Sequence, residues 1–448
     1  MLREPGFGRA CVVLGRGSHA SLCPGSHWLN GPAVPYALQL PRTLSPVSLS
    51  FRTAGESHGP ALVVILEGVP AGLPLLADDV NTELSRRQMG YGRGRRMQIE
   101  RDQVEFLSGV RAGATIGSPI AMVIHNRDWK NWQEIMDPAL VAEDPALRRR
   151  HVTRPRPGHA DLAGMLKYDR EDARDILERA SARETTARVA AGAVCRALLF
   201  QFGVSIGSHV VHLGGIDAVA PEVLPDALNA AADASPVRVL DASAADRMVA
   251  AIDAAKAAGN TLGGIVEVVV TGLPVGLGSH VAWDRKLDGR LAAALMSIPA
   301  VKGVEMGLGF EAARRPGSEV HDEIDRDPSR PQEGGVRRRT NRAGGLEGGI
   351  TTGEPLVLRV AMKPISTLMR PLATVDTQTG ESARAVAERS DVTAVPAMGV
   401  IAEAMVAVVL ADAWVEKFGG DSMQETSRNV HGYIDQVGRH IGRAADAQ

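Results

Sequence analysis

The chain has 448 residues, 44% of them apolar, 23% charged and 4% aromatic, with a formal net charge of −2. That composition builds a globular core in one large domain or two to three smaller ones. Near-neutral charge and few aromatics argue against a nucleic-acid binder, so affinity for anions must come from local clusters.

Residues 1–46 are rich in Pro and Gly, without helical or strand periodicity. Their four arginines face one acid, Glu4. Prolines would break an amphipathic transit helix, and Val12-Val13-Leu14 is too short for a secretory core. We expect this stretch to be disordered, or upstream sequence read in by a misplaced start, with Val47 the natural beginning. Cys11, Cys23 and Cys195 give neither a disulfide framework nor a zinc pattern, and no metal site is expected. A reducing cytoplasm is the simplest home.

From 47 the chain alternates between strands and helices. Strands are expected at 61–69, 104–110 and 120–125, with a helix at 77–88. Residues 126–160 form a long polar connection holding Trp129, Trp132 and the run Arg148-Arg149-Arg150. A loop of that length is usually functional or mobile. The clearest helix spans 181–202, with Ser181 as N-cap and Glu184 completing a capping box. Further strands are expected at 204–212, 264–271 and 356–362, and helices near 242–258, 285–296 and 397–417. Residues 311–345 read as another polar loop. No apolar run reaches bilayer-spanning length; 398–415 comes nearest, broken by Glu403 and Asp412, and reads as a buried helix. The order is α+β, without a run of βαβ repeats. Strands followed by a long helix occur more than once, so a duplicated architecture is possible. The catalytic domain would span 47–420, and 421–448 a partly helical tail.

Several motifs carry chemistry. His58 stands in Gly55-Glu56-Ser57-His58-Gly59, where an imidazole can approach a ligand and exchange protons near neutral pH, with Ser57 as a hydroxyl donor. A loop histidine satisfied by backbone groups fits as well. His159 follows Pro157-Gly158 and precedes Asp161, which could orient its ring. Arg86, Arg87, Arg93, Arg95, Arg96 and Arg101 are interrupted by Gly90, Gly92 and Gly94, a pattern suited to binding phosphate or carboxylate, or to a solvated face. Ser181 either caps its helix or faces an anion there. Lys363-Pro364-Ile365-Ser366-Thr367 follows a strand with one cation and two hydroxyls. Asp391, in Arg389-Ser390-Asp391, is a base or a helix cap. HExxH, P-loop, GxGxxG and Gly-x-Ser-x-Gly patterns do not occur. Residues alone therefore indicate an enzyme acting on a phosphorylated anion.

Taken together, these segments resemble the chorismate synthase family over about 47–410. The resemblance rests on 55–59, on 156–161 with 178–191 (ERASARETTARVAA), and on 389–391 leading into Ile401-Ala402-Glu403-Ala404-Met405. Segments 300–305 and 344–350 also look like the family's. The resemblance implies a β-α-β sandwich, a cytoplasmic homotetramer, and 1,4-anti elimination of phosphate from 5-enolpyruvylshikimate 3-phosphate. It implies reduced FMN, used without net redox change, and no nucleic-acid or membrane partner. By the same resemblance His58 would protonate the departing phosphate, His159 would attend the flavin, and Asp391 would help remove the C6 proton. Arg87 and Arg93, with Ser57, would contact substrate or NADP. Flavin contacts would come from Arg179, Ala180, Ser181, Pro299, Ala300, Gly348, Lys363, Pro364, Ile365, Ser366, Thr367 and Arg389. Ala180, Pro299, Ile365 and Ser390 depart from residues common in the family and bear on flavin affinity. Two other readings are a flavin oxidoreductase with net hydride transfer, and an anion- or RNA-binding protein using the arginine cluster.

Overall fold

A computed structural model describes residues 48–94, 101–139, 150–387 and 390–440. The expectations for 1–46, and the residues Arg95, Arg96, Arg148, Arg149 and Arg389, lie outside the described residues.

The first half runs β1 (Ser50–Ala54), β2 (Ala61–Glu67), α1 (Ala77–Gln88), β3 (Val104–Phe106), β4 (Val110–Arg111), β5 (Ala114–Thr115) and β6 (Ile120–His125). Then come α2 (Gln133–Met136), α3 (Asp161–Tyr168), α4 (Arg174–Ala180) and the long α5 (Thr185–Phe200). The second half opens with β7 (Ser205–Leu213), β8 (Ile216–Asp217), α6 (Leu228–Asp233), α7 (Ala242–Ala257) and β9 (Gly264–Thr271). It continues with α8 (Leu287–Met296), β10 (Val301–Met306), and the hairpins β11 (Ile324–Arg326) with β12 (Val336–Arg338) and β13 (Leu346–Glu347) with β14 (Ile350–Thr351). It ends with β15 (Leu356–Met362), β16 (Ala373–Val375), β17 (Ser382–Arg384), α9 (Val395–Phe418) and α10 (Met423–Gly438).

The two halves repeat one plan. The first sheet has the order β1-β2-β6-β3 and the second β10-β15-β9-β7-β8, with every pair antiparallel. Matching β1 with β7, β2 with β9, β6 with β15 and β3 with β10 reproduces the same neighbours. The small hairpins β4–β5 and β13–β14 match as well. Thr115 donates its hydroxyl to the Pro70 carbonyl (2.6 Å) and accepts from the Leu73 amide (3.0 Å). Thr351 does the same with Pro274 (2.7 Å) and Leu277 (2.8 Å). The duplication that the sequence leaves open is present in the fold.

Alternation drives the layering. Leu62, Val64 and Leu66 of β2, and Val266, Val268 and Val270 of β9, are buried on one face of their sheets. The first sheet lies on α5 and the second on α9, and those two helices pack on each other. The result is an α+β sandwich with helices between two sheets. Gly192 of α5 faces α9 so closely that an added Cβ would stand 2.4 Å from the Ala404 Cβ and 2.5 Å from its Cα. Helix α9 has 24 residues and, by length and composition alone, could cross a membrane, which corrects the shorter run expected at 398–415; 94% of its most apolar window is buried in the protein.

One charge sits inside this layer. Glu403 of α9 is 1% exposed. It receives Arg86 (2.9 Å), Arg196 (2.6 Å), Arg238 (3.1 Å), the Ser208 hydroxyl (2.6 Å) and the Asn229 amide (3.2 Å). Burial alone would raise its pKa, but Arg196, Arg86 and Arg238 hold it down at about 2.

Several expectations need correction. The strand expected at 104–110 is β3 and β4 separated by a turn. The helix expected from 181 begins as a 3-10 turn, Ala182–Glu184, with Ser181 accepting from the Arg183 amide. No capping box closes there: Glu184 instead takes the Thr53 hydroxyl (2.9 Å) and Arg188 (2.8 Å). The polar stretch at 311–345 contains β11 and β12.

Gly192→Ala tests the helix contact. Helix propensity alone would favour alanine by about 1 kcal/mol. The collision with the Ala404 backbone reverses that sign, and we expect a net loss of about 1–3 kcal/mol in urea denaturation.

Candidate functional site

A cavity of about 740 Å³ opens between the halves. Its walls come from residues 57–185 on one side and 296–401 on the other. Ala397, Met398 and Ile401 of α9, with Leu177, Ile298 and Met362, make it apolar; two histidines, several cations and Asp391 make it polar.

His58 is carried by the turn after β1. Gly55 adopts φ +105° there, and a Cβ would stand 2.3 Å from the Ala61 carbonyl oxygen, so only glycine fits. The turn is tied down from several sides. Asn126 donates to the carbonyls of Gly59 (2.7 Å) and Glu56 (3.2 Å). Arg179 donates to those of Gly55 (3.0 Å) and Thr53 (2.9 Å). Ser57 accepts from the Ser181 hydroxyl (3.2 Å). The His58 Nδ1 lies 2.9 Å from both oxygens of Glu178, and its ring stacks on Trp132 with centroids 3.8 Å apart. Burial would raise the Glu178 pKa, but the contacts with His58 and Arg174 win, so the carboxyl lies below its ordinary range and is ionised at neutral pH.

His159 is held differently. Its Nδ1 meets the fully buried Asp161 at the start of α3. Arg156 grips the same carboxylate through Nε (2.9 Å) and Nη2 (3.1 Å), and donates Nη1 to the Thr367 hydroxyl (2.9 Å). Burial would raise the Asp161 pKa; the bonds from His159 and Arg156 drive it well below the usual carboxylate range. Lys363 reaches the Gly158 carbonyl, and the Lys363 amide donates to the carbonyl of Ala300 (3.0 Å), a non-glycine residue at φ +68°. These bonds join 156–161 to 300 and 363–367 across the seam.

Arg87 and Arg93 reach the cavity, whereas Arg86 turns into the Glu403 cluster and Arg101 is exposed. The expected single arginine loop is thus divided. Arg87 donates to Thr185 (3.0 Å) and the Ala182 carbonyl (2.8 Å), and its buried Nη1 has no hydrogen-bond partner among the described residues. Burial, opposed by Asp102 and reinforced by Arg93 and Arg183, pushes its guanidinium down to about 9, so it remains a cation at neutral pH. Asp391 accepts from the Gly94 amide (2.6 Å) and pairs with Arg93 (3.2 Å).

Of the residues singled out from sequence, Ser57, His58, Arg87, Arg93, His159, Ala180, Ser181, Pro299, Ala300, Lys363, Ile365, Ser366, Thr367 and Asp391 line this one cavity. Arg179, Pro364 and Gly348 are not among the lining residues: Arg179 braces the Gly55 turn and Gly348 lies in the β13–β14 turn. Sequence reasoning assigned no role to Glu178, Trp132, Arg156 or Asn126. Arg174 and Glu178, four apart on one helix, were the available signal for the Glu178 pair.

Asp161→Asn should loosen both His159 and Arg156 and lower the melting temperature. The folded carboxyl pKa is depressed, so this stability is present above the unfolded value of about 3.9. The difference between wild type and variant in pH-resolved melting should therefore shrink as pH falls below that value.

The chorismate synthase family model matches residues 49–415. A chorismate synthase from Geobacter sulfurreducens is 57% identical over 392 residues, covering 87% of this chain and 99% of that protein. One from Bacillus cytotoxicus is 57% identical over 385 residues, covering 85% and 97%. A crystal structure of chorismate synthase superposes with a TM-score of 0.70 at 44% identity, covering 87% of this chain and 98% of the other. The family model, the relatives and the shared fold show that this chain belongs to the chorismate synthase family.

Proposed function

We propose that the cavity performs the 1,4-anti elimination of phosphate from 5-enolpyruvylshikimate 3-phosphate, giving chorismate with reduced FMN as an essential cofactor. The observation that carries the reading is one cavity holding two histidines, each oriented by a buried carboxylate, beside Arg87, Arg93 and Lys363. Its mixed lining suits a planar heteroaromatic ring with an anionic tail, and Arg87 and Arg93 bring positive charge to an incoming anion. Ala180, Ser181, Pro299, Ala300 and 363–367 would hold the flavin. When bound, reduced FMN supplies electron density transiently for carbon–oxygen cleavage and recovers it.

The chain supplies the rest. Arg87 and Arg93 neutralise the departing phosphate. Glu178 occupies Nδ1 of His58, which makes Nε2 the nitrogen that delivers a proton to the leaving oxygen. Asp161 fixes the His159 tautomer from the buried side. Asp391, steadied by the Gly94 amide and Arg93, assists loss of the C6 proton. Bonds across the seam hold the two walls at a fixed separation, which orients the ligands. Membership of the family also supports a homotetramer working in the cytoplasm.

The test is anaerobic turnover. With chemically reduced FMN we expect many chorismates per flavin, none with oxidised FMN alone, and no stoichiometric NADPH consumption. His58→Ala and His159→Ala should each fold and lose about a hundredfold or more in kcat. Lasting NADPH consumption matched to product would instead support a net hydride-transfer enzyme.

A further inference from the structure

The residues around His58 do more than complete a turn. Glu178 makes successive contacts with one short piece of chain. Its carbonyl accepts from the Ser57 amide (3.0 Å), its Oε2 accepts from the His58 amide (2.9 Å), and its carboxylate meets the His58 ring. The carboxylate is 2% exposed and is itself held by Arg174 at 3.0 Å. Trp132 comes from a separate segment, and its indole lies within 24° of parallel to the imidazole. The indole is fixed in turn by its Nε1 bond to Asp128 (3.0 Å). The guanidinium groups of Arg150 and Arg174 lie over the indole, at 4.2 and 5.2 Å from its centroid.

The two contacts restrain different motions. A histidine ring turns broadly about its second side-chain torsion. A carboxylate at Nδ1 selects one nitrogen but leaves the ring free to tilt about that bond; a stacked indole blocks the tilt and leaves the choice of nitrogen open. Together they leave one orientation. A proton donor must come within about 2.6–3.2 Å of its acceptor, and misplacement by about 1 Å can cost on the order of a hundredfold.

Resting on the reading of His58 as the acid for the leaving phosphate, we propose that Glu178 and Trp132 are positioning residues for that proton transfer. Glu178 sets which ring nitrogen faces the ligand, and Trp132 sets the plane of the ring. Among the described residues, charged groups that meet the ring and its stack include Glu178 and Arg174 from α4, Arg150, and Asp128 behind the indole.

The experiment uses the full chain with Trp132→Phe, Trp132→Ala and Glu178→Gln. The first arm needs no turnover. A stacked imidazole quenches an indole, so the emission assigned to Trp132, taken as wild type minus Trp132→Phe, should rise in the His58→Ala and Glu178→Gln backgrounds. The second arm is anaerobic turnover. Glu178→Gln should lower kcat by about tenfold to a hundredfold with KM unchanged. Trp132→Ala should lose kcat, and Trp132→Phe, which keeps a stacking face, should recover most of it. Unchanged Trp132 emission in His58→Ala, or unchanged kcat in Glu178→Gln, would overturn the proposal. If wild type itself gives no chorismate while the emission arm behaves as expected, the reaction assignment fails and the clamp remains.

Discussion

The close approach of α5 and α9 at Gly192 and Ala404 is the constraint on which the rest depends. Each helix carries its own sheet on its far side, so the spacing between helices sets the spacing between the halves. Small residues at the crossing let the backbones meet, and the two sheets bury their alternating apolar faces against the pair. The cavity lies where that pair continues into the walls: α9 gives it Ala397, Met398 and Ile401, and the turn leading into α5 gives it Ser181, Ala182 and Thr185.

Buried charge then fixes what packing leaves adjustable. Glu403 gathers three arginines from α1, α5 and the segment after α6, which locks the end of α1 beside α9. Arg87, the next residue along α1, is thereby presented to the cavity. In the first half Arg183 pairs with the buried Asp102 (2.7 Å) and holds Asn126 (2.8 Å), which holds the His58 turn. Removing one partner from such a cluster strands a charge in the interior, which costs more than the intact cluster contributes. The duplication adds a second lesson. Both halves keep the same threonine lock in their hairpins, while the cavity is lined by loops from both.

The elements with strong periodicity were legible: 77–88, 120–125, 264–271 and 356–362 fall where alternation or amphipathic spacing places them. Helices α3 and α4 were missed because they are short, polar and buried only in part. Their stability comes from tertiary bonds such as Asp161 to Arg156, which no local window contains. The capping box failed for a similar reason. Glu184 had the right spacing, but Thr53 and Arg188 offered it better partners than the Ser181 amide. In the site, histidines in glycine-rich turns stood out, and family resemblance pointed to most of the wall. Their partners did not stand out: Glu178 is 120 residues from His58, and Thr367 is 211 from Arg156. The arginine cluster showed the limit most clearly. Adjacent on a helix, Arg86 and Arg87 point to different fates, one inside a structural charge cluster and one on the cavity.

The first structure to determine is a crystal structure of the protein with oxidised FMN and 5-enolpyruvylshikimate 3-phosphate. Both ligands should occupy the seam cavity, with the phosphate of the substrate within hydrogen-bond reach of His58 Nε2 and Arg87 or Arg93. Ligands bound elsewhere, or a phosphate turned away from His58, would contradict it.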